Sequence, residues 1–160
     1  MKLTTKSRCG TRILMDLANN YGLDPVSVGE ISKRQGISVK FVEQVIRPLK
    51  KAGLIQSVRG PKGGYCLAKK PEEVNVGQII RLLETYSDLA GCITKPENCT
   101  RSDECRVRLV WSKATKALYS YLDSITLFDL ITMPMGVLCE DEIFNTPVNH
   151  NNEPIPLLRN

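Results

Sequence analysis

No run of about 18 apolar residues occurs in this 160-residue chain, so no membrane-spanning helix is expected. Met1-Lys-Leu-Thr-Thr-Lys6 leads into the charged Arg8 and Arg12 and lacks the apolar core and cleavage site of a secretory leader. The expected setting is therefore the cytoplasm, where thiols stay reduced and clustered cysteines point to metal or redox chemistry more than to disulfides. A nucleotide-binding glycine fingerprint, an acid/base constellation and a second cysteine set are also missing, which argues against a redox enzyme or electron carrier. The single histidine, His150, and one of the six cysteines, Cys139, lie in or near the C-terminal tail and weigh little as ligands. The length suits one domain, or one domain with a substantial appendage.

Charge is unevenly spread. Residues 1–70 hold fourteen Lys and Arg against four Asp and Glu, a balance of +10, while residues 71–160 hold eight against thirteen, a balance of −5. A basic first half joined to an acidic second half suggests a polyanion-binding module attached to something else.

Periodicity gives that module a shape. Ile13, Leu14, Leu17, Ala18 and Tyr21 predict a helix over residues 7–21, stopped by Gly22. Ser27-Val-Gly-Glu30 has capping-box spacing and opens a short helix through Ile31 that ends near Gln35-Gly36. Ser38 reads as the N-cap of a third helix with Phe41, Val42, Val45, Ile46 and Leu49 apolar and with Lys40, Glu43, Gln44, Arg47 and Lys50 opposite. Pro48 predicts a kink or an early end there. Two helices joined by Gln35-Gly-Ile-Ser38 form a helix-turn-helix pattern. Leu54–Arg59 and Tyr65–Ala68 then read as short strands around the turn Gly60-Pro-Lys-Gly-Gly64, a hairpin wing whose Arg59 and Lys62 stand among glycines that let backbone approach a phosphate or a minor groove. Cys66, on the second strand, reads as a small core residue.

The second half opens with Asn75 capping a helix from Val76 to about Tyr86. Three cysteines follow in a polar stretch, Cys92-Ile-Thr-Lys-Pro-Glu-Asn-Cys99-Thr-Arg-Ser-Asp-Glu-Cys105. Thiolates gathered this way are soft donors suited to zinc, copper(I) or an iron–sulfur cluster, although the two-residue gap of structural zinc knuckles is absent. Three ligands leave a four-ligand site incomplete. Ser102-Asp-Glu-Cys105 is expected to start a long helix running to about Ile125, its acidic first turn complementing the helix dipole. Val107, Val110, Trp111, Ala114, Ala117, Leu118, Tyr121, Leu122 and Ile125 recur along it at three- and four-residue steps, a seam suited to packing against a second copy. One more turn is expected at Leu127–Ile131, and residues 133–160 lose periodicity and read as a disordered tail.

From Met1 to about Ile131 the chain resembles the cysteine-cluster winged-helix regulators typified by IscR, NsrR and CymR. The resemblance is carried by Met1-Lys-Leu-Thr-Thr-Lys-Ser-Arg8, Ile31-Ser-Lys-Arg-Gln-Gly-Ile-Ser38, Glu43-Gln44, Val58-Arg-Gly-Pro-Lys-Gly-Gly-Tyr65, Val76-Gly-Gln-Ile-Ile80 and the three cysteines. It implies a homodimer on a palindromic double-stranded DNA operator, with residues equivalent to Lys40, Glu43 and Gln44 reading the major groove and Arg59 entering the minor groove. Lys40 departs from the serine often found there, so the operator sequence does not transfer. In cluster-bearing members the loop cysteines hold iron, commonly as 2Fe–2S and in some as 4Fe–4S. IscR-like members place a histidine where this chain has Arg108, and NsrR-like members borrow an aspartate of the other subunit where this chain has Arg8. Neither arginine can ligate. Cys9, next to Arg8, is the candidate fourth ligand, supplied in trans; the alternatives are Asp103, Glu104 or a small exogenous thiol, with Cys9 turned into the core.

The expected fold is mainly α with a small β-hairpin wing. Residues 1–70 form the winged helix-turn-helix, 71–132 the cysteine loop and dimerisation helix, and 133–160 the tail. The candidate DNA-contacting residues are Ser38, Lys40, Glu43, Gln44, Arg47, Arg59, Gly60 and Lys62, and the candidate ligands are Cys92, Cys99, Cys105 and Cys9. The favoured function is a dimeric transcription regulator controlled by an iron–sulfur cluster, sensing cluster supply, iron, oxygen or nitric oxide. The alternative is a cluster-free, thiol-redox or partner-controlled repressor of the CymR kind.

Overall fold

Thr4, Ser27, Ser38, Asn75 and Thr126 each take extended backbone and accept a hydrogen bond from the amide three residues on. Capping chemistry thus starts five helices where the orphan amides of a first turn need partners. The computed structural model describes residues 3–85 and 88–134. In chain order these form α1 (Thr5–Asn19), α2 (Val28–Gln35), α3 (Val39–Lys51), β1 (Ile55–Val58), β2 (Gly64–Leu67), α4 (Val76–Leu83), α5 (Gly91–Thr94), α6 (Arg106–Ser124) and α7 (Leu127–Thr132). Short 3-10 turns lie at Pro71–Glu73 and Pro96–Asn98. The residues expected to form a tail, with Cys139 and His150, lie outside the described residues, apart from Met133 and Pro134.

α2 and α3 meet through Gly36, whose φ of 65° makes the tight turn of the helix-turn-helix. β1 and β2 pair antiparallel, with Ile55 opposite Leu67 and Gln56 opposite Cys66. Val26 adds a bridge to Tyr65 by reciprocal backbone hydrogen bonds of 2.9 and 2.8 Å, seating the hairpin against the segment before α2. The bridge requires a glycine beside it, because a Cβ on Gly64 would collide with the Val26 carbonyl oxygen.

One contiguous core joins Ile13, Leu14 and Leu17 of α1, Val42, Val45, Ile46 and Leu49 of α3, the hairpin residues Ile55 and Leu67, and Ile79, Leu83 and Leu127 from α4 and α7. It therefore draws on both sides of residue 70. Gly10 lets α1 close on α4, where a Cβ would meet Leu83 Cδ1. α6 is fastened to α4 by a two-point Arg81–Asp123 ion pair, with hydrogen bonds of 2.7 and 2.7 Å and the guanidinium 4.2 Å over the Tyr119 ring.

Several boundaries differ from the sequence expectation. α1 begins at Thr5 and ends at Asn19, leaving Tyr21 exposed. Pro48 does not end α3, which runs to Lys51 because Val45, Ile46 and Leu49 are buried on both sides of it and outweigh one lost backbone hydrogen bond. α4 stops at Leu83, since Glu84 turns extended. Cys66 is half-buried and shares its face of the hairpin with exposed Gln56, so it is not a core residue; strand alternation gives the core side to Leu67. α6 starts at Arg106, and Ser102–Glu104 is a turn outside it, so the acidic first turn is absent. Finally, the buried side of α6 is Thr115 and Tyr119, each 6% exposed, while Val107, Leu109, Val110 and Trp111 are exposed.

Candidate functional site

α3 divides cleanly. Val42, Val45, Ile46 and Leu49 enter the core, and Ser38, Val39, Lys40, Glu43, Gln44 and Arg47 are exposed. Ser38 accepts the Phe41 amide at 3.2 Å, which sets the entry of the helix, and Lys50 and Lys51 in the last turn complement its dipole. A helix anchored on one side with a row of amide, carboxylate and cationic groups on the other is suited to reading base edges. Lys50 Nζ donates to Ser57 Oγ at 2.7 Å and ties this helix to the first strand of the wing.

The wing tip is built from close backbone. Gly60 takes φ of 121°, and the Gly63 amide donates to the Gly60 carbonyl at 2.8 Å. A Cβ on Gly63 would stand 2.5 Å from the Val58 carbonyl oxygen, so the turn has no room for a side chain there. Arg59, Pro61 and Lys62 are exposed around it. This tip presents two cations on a slim support, the shape that fits a phosphate row or a narrow groove.

The cysteine loop joins α4 to α6. Cys92 lies on α5, Cys99 follows the Pro96–Asn98 turn, and Cys105 is the residue before α6; all three are half-buried free thiols. Backbone hydrogen bonds of 3.0 Å from Cys99 to Pro96 and from Ser102 to Cys99 shape successive turns. Arg108 reaches back from α6, its Nε donating to the Cys92 carbonyl at 3.0 Å and its Nη1 to the Ser102 carbonyl at 3.2 Å. The Leu89 amide donates to Thr115 Oγ1 at 3.3 Å on the same helix. Among the described residues no three His, Cys, Asp or Glu side chains stand close enough together to hold a metal ion. Cys9 sits on α1, 8% exposed and outside the contiguous core. In its chemistry the donor set nonetheless fits an iron–sulfur group, since the loop offers three reduced thiols and no disulfide.

A latch that sequence reading missed ties the loop's origin to α1. Glu84 Oε1 accepts the Thr4 amide at 2.7 Å, at the N-terminus of α1. Burial pushes the Glu84 carboxyl up, but hydrogen bonds from Ser7 and Thr4 and the nearby Lys6 cation outweigh it and hold it below its ordinary value. Neither the capping role of Thr4 nor its partner eighty residues away was legible in the sequence.

Residues 3–133 match the Rrf2 family model, described as an iron-dependent transcriptional regulator. The chain belongs to the Rrf2 family. Protein rrf2 of Nitratidesulfovibrio vulgaris is 46% identical over 131 residues, covering 82% of this chain and 87% of that protein. Among solved structures, CymR, the global cysteine regulator of B. subtilis, superposes with a TM-score of 0.69 at 34% identity, covering 82% of this chain and 97% of that one. IscR of T. potens superposes with a TM-score of 0.64 at 39% identity, covering 87% and 96%. As an Rrf2 protein the chain is a DNA-binding transcriptional regulator with a winged-helix fold, not an enzyme. Among the described residues no helix is long and apolar enough to cross a membrane.

Proposed function

We propose that this Rrf2 protein is a homodimeric regulator that binds a palindromic operator and whose affinity is set by an iron–sulfur cluster, 2Fe–2S in preference to 4Fe–4S. The observation that carries this reading is the set of three free, half-buried thiols on the segment between the winged helix-turn-helix and α6. Cys92, Cys99 and Cys105 would hold the group, with Cys9 of a second copy as the fourth thiol. When bound, the cluster supplies a center that can be lost, oxidised or nitrosylated, so its state can report cluster supply, iron, oxygen or nitric oxide.

The chain's own residues do the rest. Residues 1–70 form the DNA-binding module: Gln44, Glu43 and Lys40 meet base edges, Ser38 and Arg47 flank them, and Arg59, Gly60 and Lys62 bring the wing to the backbone or minor groove. Residues 71–132 carry the loop and the interface. In a two-fold dimer the recognition helices contact half-sites about 10 bp, or a multiple of that, apart. A ligand in trans would couple cluster state to the placement of α1 against α6 of the partner, and hence to the spacing of the two α3 helices.

The cluster-free reading keeps the DNA binding and removes the metal, and one observation favours it: the described side chains do not converge on a metal site. Anaerobic purification separates the two readings. The iron–sulfur reading expects a brown protein with stoichiometric iron and sulfide, a Cys92→Ala variant that takes up neither, and a Cys9→Ala variant with an altered visible spectrum and faster loss to chelators. A colourless protein that binds operator unchanged by iron and sulfide leaves the thiol-controlled regulator. A Cys9→Ala protein with wild-type spectrum and stability makes Cys9 a packing residue.

A further inference from the structure

We infer that Arg108 is the positioning residue of the cysteine loop, its guanidinium fastening the Cys92 end to the Ser102 end through two backbone carbonyls. The functional meaning of this staple rests on the iron–sulfur reading above; its physical content does not.

Arg108 occupies the first turn of α6, where a cation opposes the positive end of the helix dipole, and no acidic residue in that turn compensates it. The helix itself therefore gives no reason for arginine here. The loop does. Nε donates to Cys92 at 3.0 Å and Nη1 to Ser102 at 3.2 Å, joining carbonyls that stand sixteen and six residues away in sequence. A planar guanidinium presents several donors in a fixed fork, so one side chain can satisfy two acceptors at once, which the point charge of a lysine does not do with the same geometry.

The staple meets α6 at its start: the Ser102 carbonyl, four residues before Arg106, accepts from the Arg108 side chain, and regular helix starts at Arg106. Seven residues further on, about two turns, Thr115 accepts the Leu89 amide at 3.3 Å. The entry to the loop is thus held at one point on α6 and its body at another. Cys92 and Cys105 bracket the stapled span, so the fork limits how far the loop can open before or after its thiols gather. Movement of Cys92 on gain or loss of a bound group is transmitted through the same fork to the start of α6.

The test is hydrogen–deuterium exchange by mass spectrometry on the reduced, metal-free, full-length protein, comparing wild type, Arg108→Gln and Arg108→Lys. In Arg108→Gln the amides of residues 92–105 are expected to exchange about tenfold faster, equivalent to about 1.4 kcal/mol, with α1–α3 unchanged as the control for folding. Arg108→Lys, which keeps the charge but not the fork, is expected to fall between the two, and it carries the test if the glutamine variant does not fold. Anaerobic reconstitution then provides a second readout: Arg108→Gln should retain less iron and sulfide than wild type and show a changed visible circular dichroism spectrum. Unchanged exchange in Arg108→Gln, or wild-type exchange in Arg108→Lys, overturns the inference. If wild type takes up no cluster while Arg108→Gln still loosens the loop, the staple stands and the iron–sulfur reading falls.

Discussion

Gln44 on α3 and Lys62 on the wing are both exposed polar residues, yet their loss is expected to show in different measurements. A glutamine amide can pair with the donor and acceptor of one adenine edge, so Gln44→Ala should cost about 1–3 kcal/mol on the preferred operator and relax base choice at one position per half-site. Lys62 offers a charge alone. Lys62→Ala should weaken all duplexes alike and lower the slope of affinity against salt by about one phosphate contact. Binding titrations on an operator and a scrambled duplex at several salt concentrations separate the two; identical losses on both duplexes for Gln44→Ala would remove it from base reading. The polar side of α3 was legible because its apolar residues recur at helical spacing. The wing glycines were legible as a turn, but the collision that demands glycine at position 64 depends on Val26, 38 residues away, and no local pattern announces it.

At the scale of elements, α6 is the instructive case. Spacing marks its apolar seam, and the seam residues Val107, Val110 and Trp111 are 54, 57 and 44% exposed within one protomer. Thr115 and Tyr119, which the apolar pattern passes over, instead form its buried side against α4. Sequence periodicity marks a face that wants cover without saying what covers it. If the cover is a second copy, Val110→Glu places an unpaired charge in a dry interface at a cost of about 3–5 kcal/mol. Light scattering should then show monomers, with far-UV circular dichroism unchanged because Val110 makes no part of the core. A dimer of unchanged mass would put the interface on another face.

Across the whole molecule, two carboxylates join elements that the chain separates. Two hydrogen bonds from Arg81 hold the Asp123 carboxyl below its ordinary 3.8, and Arg81 is raised in turn, clasping α4 to α6. Glu84, held below its ordinary 4.5, latches the end of α4 to the start of α1. A carboxyl whose folded value lies below its unfolded value binds fewer protons when folded, so its stabilisation is in place at neutral pH and is lost as pH falls through 4.5 toward the lowered value. Denaturation midpoints are therefore expected to be flat near neutrality and to drop below about pH 4.5. Glu84→Gln should lower the neutral-pH midpoint and make that drop shallower. An unchanged acid limb would show that the latch carries none of it.

The amino-acid sequence alone encodes the order and kind of the longer helices, the helix-turn-helix with its wing, the cysteine stretch and the basic first half, but not α5 or the two 3-10 turns. Each is encoded by neighbours within a turn or a strand: caps, apolar spacing, glycine at tight turns. Tertiary structure alone decided that the core runs across residue 70, that α6 begins four residues later than its acidic stretch suggested, and that Arg108 binds loop carbonyls. It also decided that Glu84 reaches Thr4 and that Cys9 is buried on α1. Those outcomes depend on which distant groups arrive within hydrogen-bond reach once the core has closed, and local spacing carries no record of that distance.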